Sequence, residues 1–371
     1  MKFKQSIIIF ITAFLVLCST FIYFTKDKAF SEVENRMLQT QPHFHINDYQ
    51  SGVFQSQQDS FLSDQFPLRN MMVSMKTKLD YLTGKRNFHD VYIGYKNQMF
   101  EDFKPFSSSQ IDQLKERLQL FLSTYENLNT TMLLVPNAIS VQKDYLPSQA
   151  KPNDQTEVIK SFLDGLNVDY APYLNDLLQE HATEYLYYNT DHHWTSLNAY
   201  YVWQDFAAQQ GFTLPEYTPY YISDNFIGTL ASKSGYPVTQ PDQIQVYLSD
   251  EELNYTVSYV EEKKKSVSFY DESKLDTKDQ YATFFGGNFA RVDISTDSDS
   301  EQRLLIFKDS YANAFVPFVA PYYEKVIMID PRYYFGDVHQ LIEDEKITDM
   351  MFLYNVNTFF SDTSLNDYLV P

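Results

Sequence analysis

The sequence predicts an α/β protein built round a parallel sheet and led by one apolar N-terminal helix. Three observations carry this. Three apolar runs close the chain, "RLLIFK" from Arg303, "KVIMID" from Lys325 and "DMMFLYNVN" from Asp349, with helix-length stretches between them. Strand–helix–strand spacing of this kind implies parallel strands covered on both faces. An amphipathic helix at Ser109–Tyr125, with Ile111, Leu114, Leu118, Phe121 and Leu122 on one side, precedes a short buried strand, "TTMLLVP", from Thr130. Finally, 18 uncharged and mostly apolar residues, Ile7–Phe24, run between Lys2 and Lys4 on one side and Lys26 and Lys28 on the other.

In chain order, that N-terminal run is at the lower edge of bilayer-spanning length. No A-x-A cleavage pattern follows it, and Leu17 stands before Cys18 where a lipoprotein site would need a small residue. The expectation is an uncleaved single-pass anchor in the cell membrane. The short N-terminal tail is inside and the remainder of the chain outside the cytoplasm. Cys18 is the only cysteine, so the exported part needs no oxidative folding and has no thiol chemistry. The expected division is a cytoplasmic tail and anchor at 1–28, a polar stalk and helical lead-in at 29–85, and a main domain at 86–371. Helical periodicity runs from Gln50 to Leu82 with an interruption at Pro67. "DVYIGYKNQMF" from Asp90 reads as a hairpin. Glu157–Leu166 and Tyr173–His181 read as helices, as does Ser196 to about Gln210, capped by Thr195 and stopped by Gly211. The 212–300 stretch is irregular and reads as an inserted subdomain.

Composition narrows the function. The 371 residues carry a net charge of −20, which argues against a nucleic-acid partner because a phosphate backbone wants a basic face. Thirty Tyr and thirty Phe supply a large core or, in part, a sugar-stacking surface. No metal or cofactor is expected.

Two places carry chemistry. "TDHHWTS" holds Asp191, His192, His193 and Trp194 in a row, in a chain with seven His and two Trp. Ser310 follows an apolar strand at the start of a helix, at the carboxyl edge where open parallel sheets collect functional groups. A helix N-terminus offers free amides and a positive dipole end to a developing oxyanion, although such a serine also serves as an ordinary cap. A serine nucleophile needs a base and the base an orienting acid. In extended backbone Asp191 and His193, two apart, point the same way, with His192 on the opposite side as a supporting residue.

"TDHHWTSLNAYYVW" resembles the D-x-H-W-x-x-x-G/N-A motif of SGNH-hydrolase-like acetyltransferases, which include the alginate O-acetyltransferases and the Gram-positive DHHW family. "SEVENRMLQTQP", "SDQFPLRN", "FIGTLASKSG", "FFGGN" and "KDSYANAFVPFVAPYYEKVIMIDPRY" are similar to further stretches of that pattern, in the expected order from about Ser31 to the end. The resemblance implies an SGNH-like parallel-sheet sandwich with circularly permuted motif order. It makes Ser310 the nucleophile, His193 its base and Asp191 the orienting acid, with Asn355 or Asn357 as an oxyanion-hole asparagine and Asn313, Arg332 and Tyr311 as further pocket residues. It implies acetyl transfer to a cell-surface or secreted polysaccharide, with a membrane-bound O-acyltransferase passing acetyl groups outward. The usual G-D-S is K-D-S here, with Lys308 in place of the glycine. Three other readings stay open at this point: an esterase with the same triad, an inactive polysaccharide-binding or assembly protein, and a phosphoesterase-type metal site opened by the Asp-His-His run.

Overall fold

The computed structural model describes residues 2–31, 34, 36–251 and 253–369, without the side chains of 2–4 and 7. Within "SEVENR", positions 32, 33 and 35 therefore lie outside the described residues. The chain forms two compact units, one of residues 1–89 and 231–237, the other of 90–230 and 238–371.

The first unit is helical. The apolar run forms helix Lys2–Phe24, on which Ile8, Ile9, Phe10, Ile11, Phe14 and Leu17 are exposed. Among the described residues no helix is long and apolar enough to cross a membrane; the expected span begins at Ile7, whose side chain lies outside them. The lead-in forms helices Ile46–Ser51, Val53–Asp64 and Arg69–Leu82. The break falls at Pro67, as a residue without a free amide and with a fixed φ requires. Asp64 and Arg69 of "SDQFPLR" meet Arg36 and Glu34 of "SEVENR": Arg36 Nη1 donates to Asp64 Oδ2 at 3.0 Å and Arg36 Nε to Glu34 Oε2 at 2.7 Å, and Arg69 pairs with Glu34. Two stretches that look unrelated in sequence are halves of one ion cluster.

In the second unit the strands are β1 (Val91–Ile93), β2 (Met99–Glu101), β3 (Asn129–Val135), β4 (Tyr217–Phe226), β5 (Asp242–Ser249), β6 (Tyr255–Tyr259), β7 (Lys264–Ser266), β8 (Arg291–Thr296), β9 (Arg303–Lys308), β10 (Lys325–Ile329) and β11 (Asp349–Asn355). β1 and β2 form the expected hairpin. Seven strands make the main sheet in the order β7-β6-β8-β10-β9-β11-β3. β10, β9, β11 and β3 are parallel, with Ile306 level with Met328 and Met351. Alternate residues enter opposite cores. Leu304, Ile306, Met328 and Leu353 pack on one face with helices Ser196–Gln210 and Ala312–Val319. Leu305, Phe307, Ile327 and Phe352 pack on the other with helices Ser108–Thr124, Gln155–Leu163 and Val338–Asp344. Strands buried on both faces read as unbroken apolar runs, which is why these were legible.

Two expectations are corrected here. The sheet is mixed: β8 pairs antiparallel with β10, and β6 and β7 continue antiparallel beyond it. The 212–300 stretch is also not an irregular insertion. It supplies β6, β7 and β8 to the main sheet and the bulged β4–β5 ladder. β6, β7 and β8 are short, with five, three and six residues, and most residues of β4 are exposed, so no long apolar run marks them.

Candidate active site

The site forms where β9 ends. Asp309, buried in the turn, accepts from the amides of Tyr311 at 2.9 Å and Asn355 at 2.9 Å. It thus ties the turn to the end of β11 and leaves Ser310 at the head of helix Ala312–Val319. Burial raises the Asp309 carboxyl above its ordinary range, against the nearby Arg332 charge and these amides.

The second half comes from the loop before helix Ser196–Gln210. Tyr187 and Trp194 bridge across it, and Thr195 caps the helix, accepting from the Asn198 amide at 3.4 Å. Asp191 Oδ1 accepts from the His193 amide at 3.0 Å and from His193 Nδ1 at 2.5 Å. Acid and base are therefore brought together by an Asx-type turn of bent backbone, and not by an extended strand. For the same reason His192 is not on the opposite side: its ring lies 3.9 Å from that of His193, and its Nδ1 is 2.8 Å from Thr229 Oγ1.

His193 Nε2 lies 2.7 Å from Ser310 Oγ across 117 positions of sequence. With Nδ1–H donating to the Asp191 carboxylate, Nε2 keeps its lone pair and accepts the serine proton. Burial of Asp191 favours its neutral form. The adjacent His192 and His193, the His193 hydrogen bond and the Thr229 amide outweigh that and hold the carboxyl well below the usual carboxylate range. Burial, followed by His192, pushes the His193 imidazole below its ordinary value, with Asp191 opposing. The resting pair is a carboxylate and a neutral imidazole, as a general base requires.

A buried frame holds the two halves together. Trp194 Nε1 donates to the Tyr311 carbonyl at 3.0 Å, and the Tyr311 hydroxyl donates to the His192 carbonyl at 2.6 Å. The Tyr281 ring stacks on His193 with centroids 3.7 Å apart, and its hydroxyl donates to the Ser310 carbonyl at 3.2 Å. Thr229 gives its amide at 2.7 Å and its hydroxyl at 2.9 Å to Asp191 Oδ2. Gly228 makes this approach possible, since a Cβ there would lie 2.2 Å from Asp191 Cβ. Asp242, buried, accepts from Tyr185, Asn189 and Thr190 and shapes the loop below the histidines. "FIGT" carried a signal for Gly228 and Thr229. Tyr281 and Asp242 had none, because their partners lie 29 to 88 positions away.

The other sequence candidates divide. Tyr311 braces the turn as described. Asn313 Oδ1 accepts from buried Lys308 Nζ at 2.8 Å, and Lys308 also donates to Asn288 of "FFGGN" at 3.0 Å. Burial lowers the Lys308 ammonium to about 8, although Asp330 favours the charge. Arg332 is held by Asp330 through two bonds of 2.8 and 2.6 Å. Asn355 caps its helix with Oδ1, while its buried Nδ2 has no partner among the described residues. Asn357 is turned toward Glu101, at 3.3 Å. Asp191, His192 and His193 also bring ligand-type atoms within 4.8 Å of one another. Both His193 nitrogens and both Asp191 oxygens are already engaged in the bonds above, so the set fits a proton relay better than an ion.

The chain belongs to the DHHW protein family, whose profile matches residues 102–329. Solved structures with TM-scores of 0.60 and above repeat the fold. A DHHW family protein from Eubacterium siraeum superposes with a TM-score of 0.66 at 24% identity, over 76% of this chain and 97% of that one. Bacillus cereus PatB1, solved with a sulfonyl adduct, superposes with a TM-score of 0.60 at 20% identity, over 72% and 95%. The O-acetyltransferase domain of Pseudomonas putida AlgJ gives 0.46 at 14% identity, over 75% and 94%. No curated protein matches the chain.

Proposed function

We propose that the chain is an extracytoplasmic, membrane-anchored O-acetyltransferase acting on a cell-surface or secreted polysaccharide. The observation that carries this reading is the relay in which His193 bridges Ser310 and Asp191, at 2.7 and 2.5 Å. His193 Nε2 takes the Ser310 proton as Oγ adds to the donor carbonyl. The tetrahedral oxyanion is met by the N-terminus of helix Ala312–Val319 and by the Asn355 side-chain amide. The imidazolium then protonates the leaving group, giving acetyl-Ser310. A sugar hydroxyl repeats the cycle, losing its proton to His193 and taking the acetyl group as Ser310 recovers its hydrogen. The motif resemblance supplies the acetyl group and the sugar acceptor.

The exposed apolar residues of helix Lys2–Phe24 support anchoring, because such a surface is stable in lipid and not in water. With the domain outside, cytoplasmic acetyl donors are out of reach. A membrane-bound O-acyltransferase partner then passes the acetyl group across.

The test uses the full chain in detergent with p-nitrophenyl acetate, with and without short oligosaccharides, beside Ser310→Ala and His193→Ala. Each variant is expected to lose at least about 10³-fold in nitrophenol release, and a sulfonyl fluoride should label the parent at Ser310 alone. Acetylated sugar in the product makes the chain a transferase; free acetate alone makes it an esterase. An inert parent whose Ser310 resists the sulfonyl reagent leaves a polysaccharide-binding protein.

A further inference from the structure

The first unit carries an apolar surface that none of the described residues covers. Helix Arg69–Leu82 packs by one side: Thr77 is buried, a Cβ on Gly235 would lie 3.2 Å from Val73 Cγ1, and the Tyr81 ring is 5.0 Å from that of Tyr236. On the opposite side Leu68, Met71, Met72, Met75, Leu79 and Leu82 are each 48% to 72% exposed. At about 100° per residue the five within the helix, Met71, Met72, Met75, Leu79 and Leu82, fall within an arc of about 100°, and Leu68 precedes them as its N-cap. Lys76 and Lys78, both exposed, stand at its two edges. An apolar stripe bordered by lysines, whose stems cover apolar surface while their ammonium groups reach outward, is how a helix lies in the plane of a membrane interface.

Charge gives an independent reason for lipid as the occupant. From Arg69 to Arg86 there are five basic residues and one acidic, in a chain whose net charge is −20; with Arg69 paired to Glu34 and Lys76 to Asp80 at 3.2 Å, the excess lies in Lys78, Lys85 and Arg86. A local basic excess on an acidic protein complements an anionic surface. Position gives a third. The Gln65 side chain exchanges two bonds with the Lys28 backbone, at 3.0 and 2.9 Å, Gln58 reaches the Tyr23 hydroxyl at 2.7 Å, and the Tyr23 and Phe61 rings are 5.9 Å apart. The lead-in is therefore fastened to the end of helix Lys2–Phe24, where the proposed anchor leaves the bilayer.

We propose that helix Arg69–Leu82 lies on an anionic membrane surface, with its Met–Leu stripe in the boundary between headgroups and acyl chains. The first unit is then a second membrane contact and not a stalk. This rests on the anchoring reading above. The experiment uses full-length Cys18→Ser carrying Met75→Cys or Asp80→Cys, labelled with an environment-sensitive fluorophore. Each is reconstituted in phosphatidylcholine vesicles with or without phosphatidylglycerol.

The expected result in anionic vesicles is quenching at position 75 by lipids brominated near the headgroup end, with position 80 unquenched. Lys76→Glu and Lys78→Glu should each lower the interfacial population roughly five-fold. If the chain floats with vesicles while position 75 stays open to aqueous iodide, this inference fails and anchoring stands. Shielding from both iodide and brominated lipid would mean that a protein covers the stripe, which overturns the lipid assignment. A chain that floats with no vesicle overturns both readings.

Discussion

His193 is poised by its neighbours more than by its own nature. Burial and the adjacent His192 disfavour the imidazolium, while Asp191 favours it, and the balance lies below the ordinary imidazole value of 6.5. A base with a lowered value stays neutral at pH values where a free imidazole is protonated. The acid limb of kcat/KM for ester hydrolysis is therefore expected below pH 6.5, and His192→Gln, which removes one of the two lowering causes, should move the limb upward. A limb at or above 6.5 in the parent contradicts this balance. Asp191→Asn tests the third member. An amide can present its NH₂ to His193 Nδ1 and favour the wrong tautomer, so a fall of about 10⁴ in kcat is expected with little change in KM. Asn355→Ala removes a buried side-chain amide at the end of β11 whose nitrogen has no partner among the described residues. Its expected cost is about 10²-fold in kcat, with sulfonyl labelling of Ser310 retained.

The elements explain why some of this was legible and some was not. β9, β10 and β11 are buried on both faces, so their sequences are unbroken apolar runs, and the serine follows directly from the strand end. Helix Ser196–Gln210 was bounded by Thr195 and Gly211, and the structure uses both, with Gly211 in the left-handed region at φ 72°. The place of β6, β7 and β8 in the main sheet was not legible: "KKS" pairs only with its neighbour "YTVSY" across a short turn, and that hairpin joins the sheet through β8, more than thirty positions further on. The Asp–His contact was anticipated from extended backbone, but it arises from a turn. That turn depends on the strand–helix junction at Gly228, and a Gly228→Ala variant argues the point. Its Cβ would lie 2.2 Å from Asp191 Cβ and 2.4 Å from Oδ2, so the two elements must separate and Thr229 loses its hold on the carboxylate. The expected outcome is loss of stability of about 1–3 kcal/mol together with loss of activity comparable to Asp191→Asn, read by thermal unfolding and esterase rate on one preparation. Full activity in a stable Gly228→Ala protein would mean that this approach is not needed.

At the scale of the whole molecule the chain is two units with different sources of order. The second rests on a sheet with two apolar cores. The first has few buried apolar side chains among the described residues and is held at its centre by charge: Arg36 on Asp64 and Glu34, with Arg69 on Glu34. Burial alone would raise the Asp64 carboxyl, but the bonds from Arg36 and the Gln39 amide bring it below its ordinary value of 3.8. A carboxyl lowered in the folded state contributes stability that is present above 3.8 and is lost as pH falls through the lower folded value. Acid should therefore loosen the first unit on this account, while the apolar cores of the second have no such dependence on Asp64. The measurement is amide exchange on the full chain as pH is lowered stepwise from neutral to below 3.8, corrected for the intrinsic rate. Protection within 28–66 is expected to fall first, while β9 and β11 stay protected. Arg36→Met should reproduce the loss at neutral pH, by leaving Asp64 and Glu34 short of their shared cation, and should leave the sulfonyl labelling of Ser310 intact. If both units lose protection together, in acid and in the variant, charge is not what sets the first unit apart, and the ion cluster joining "SEVENR" to "SDQFPLR" is only one contact among many.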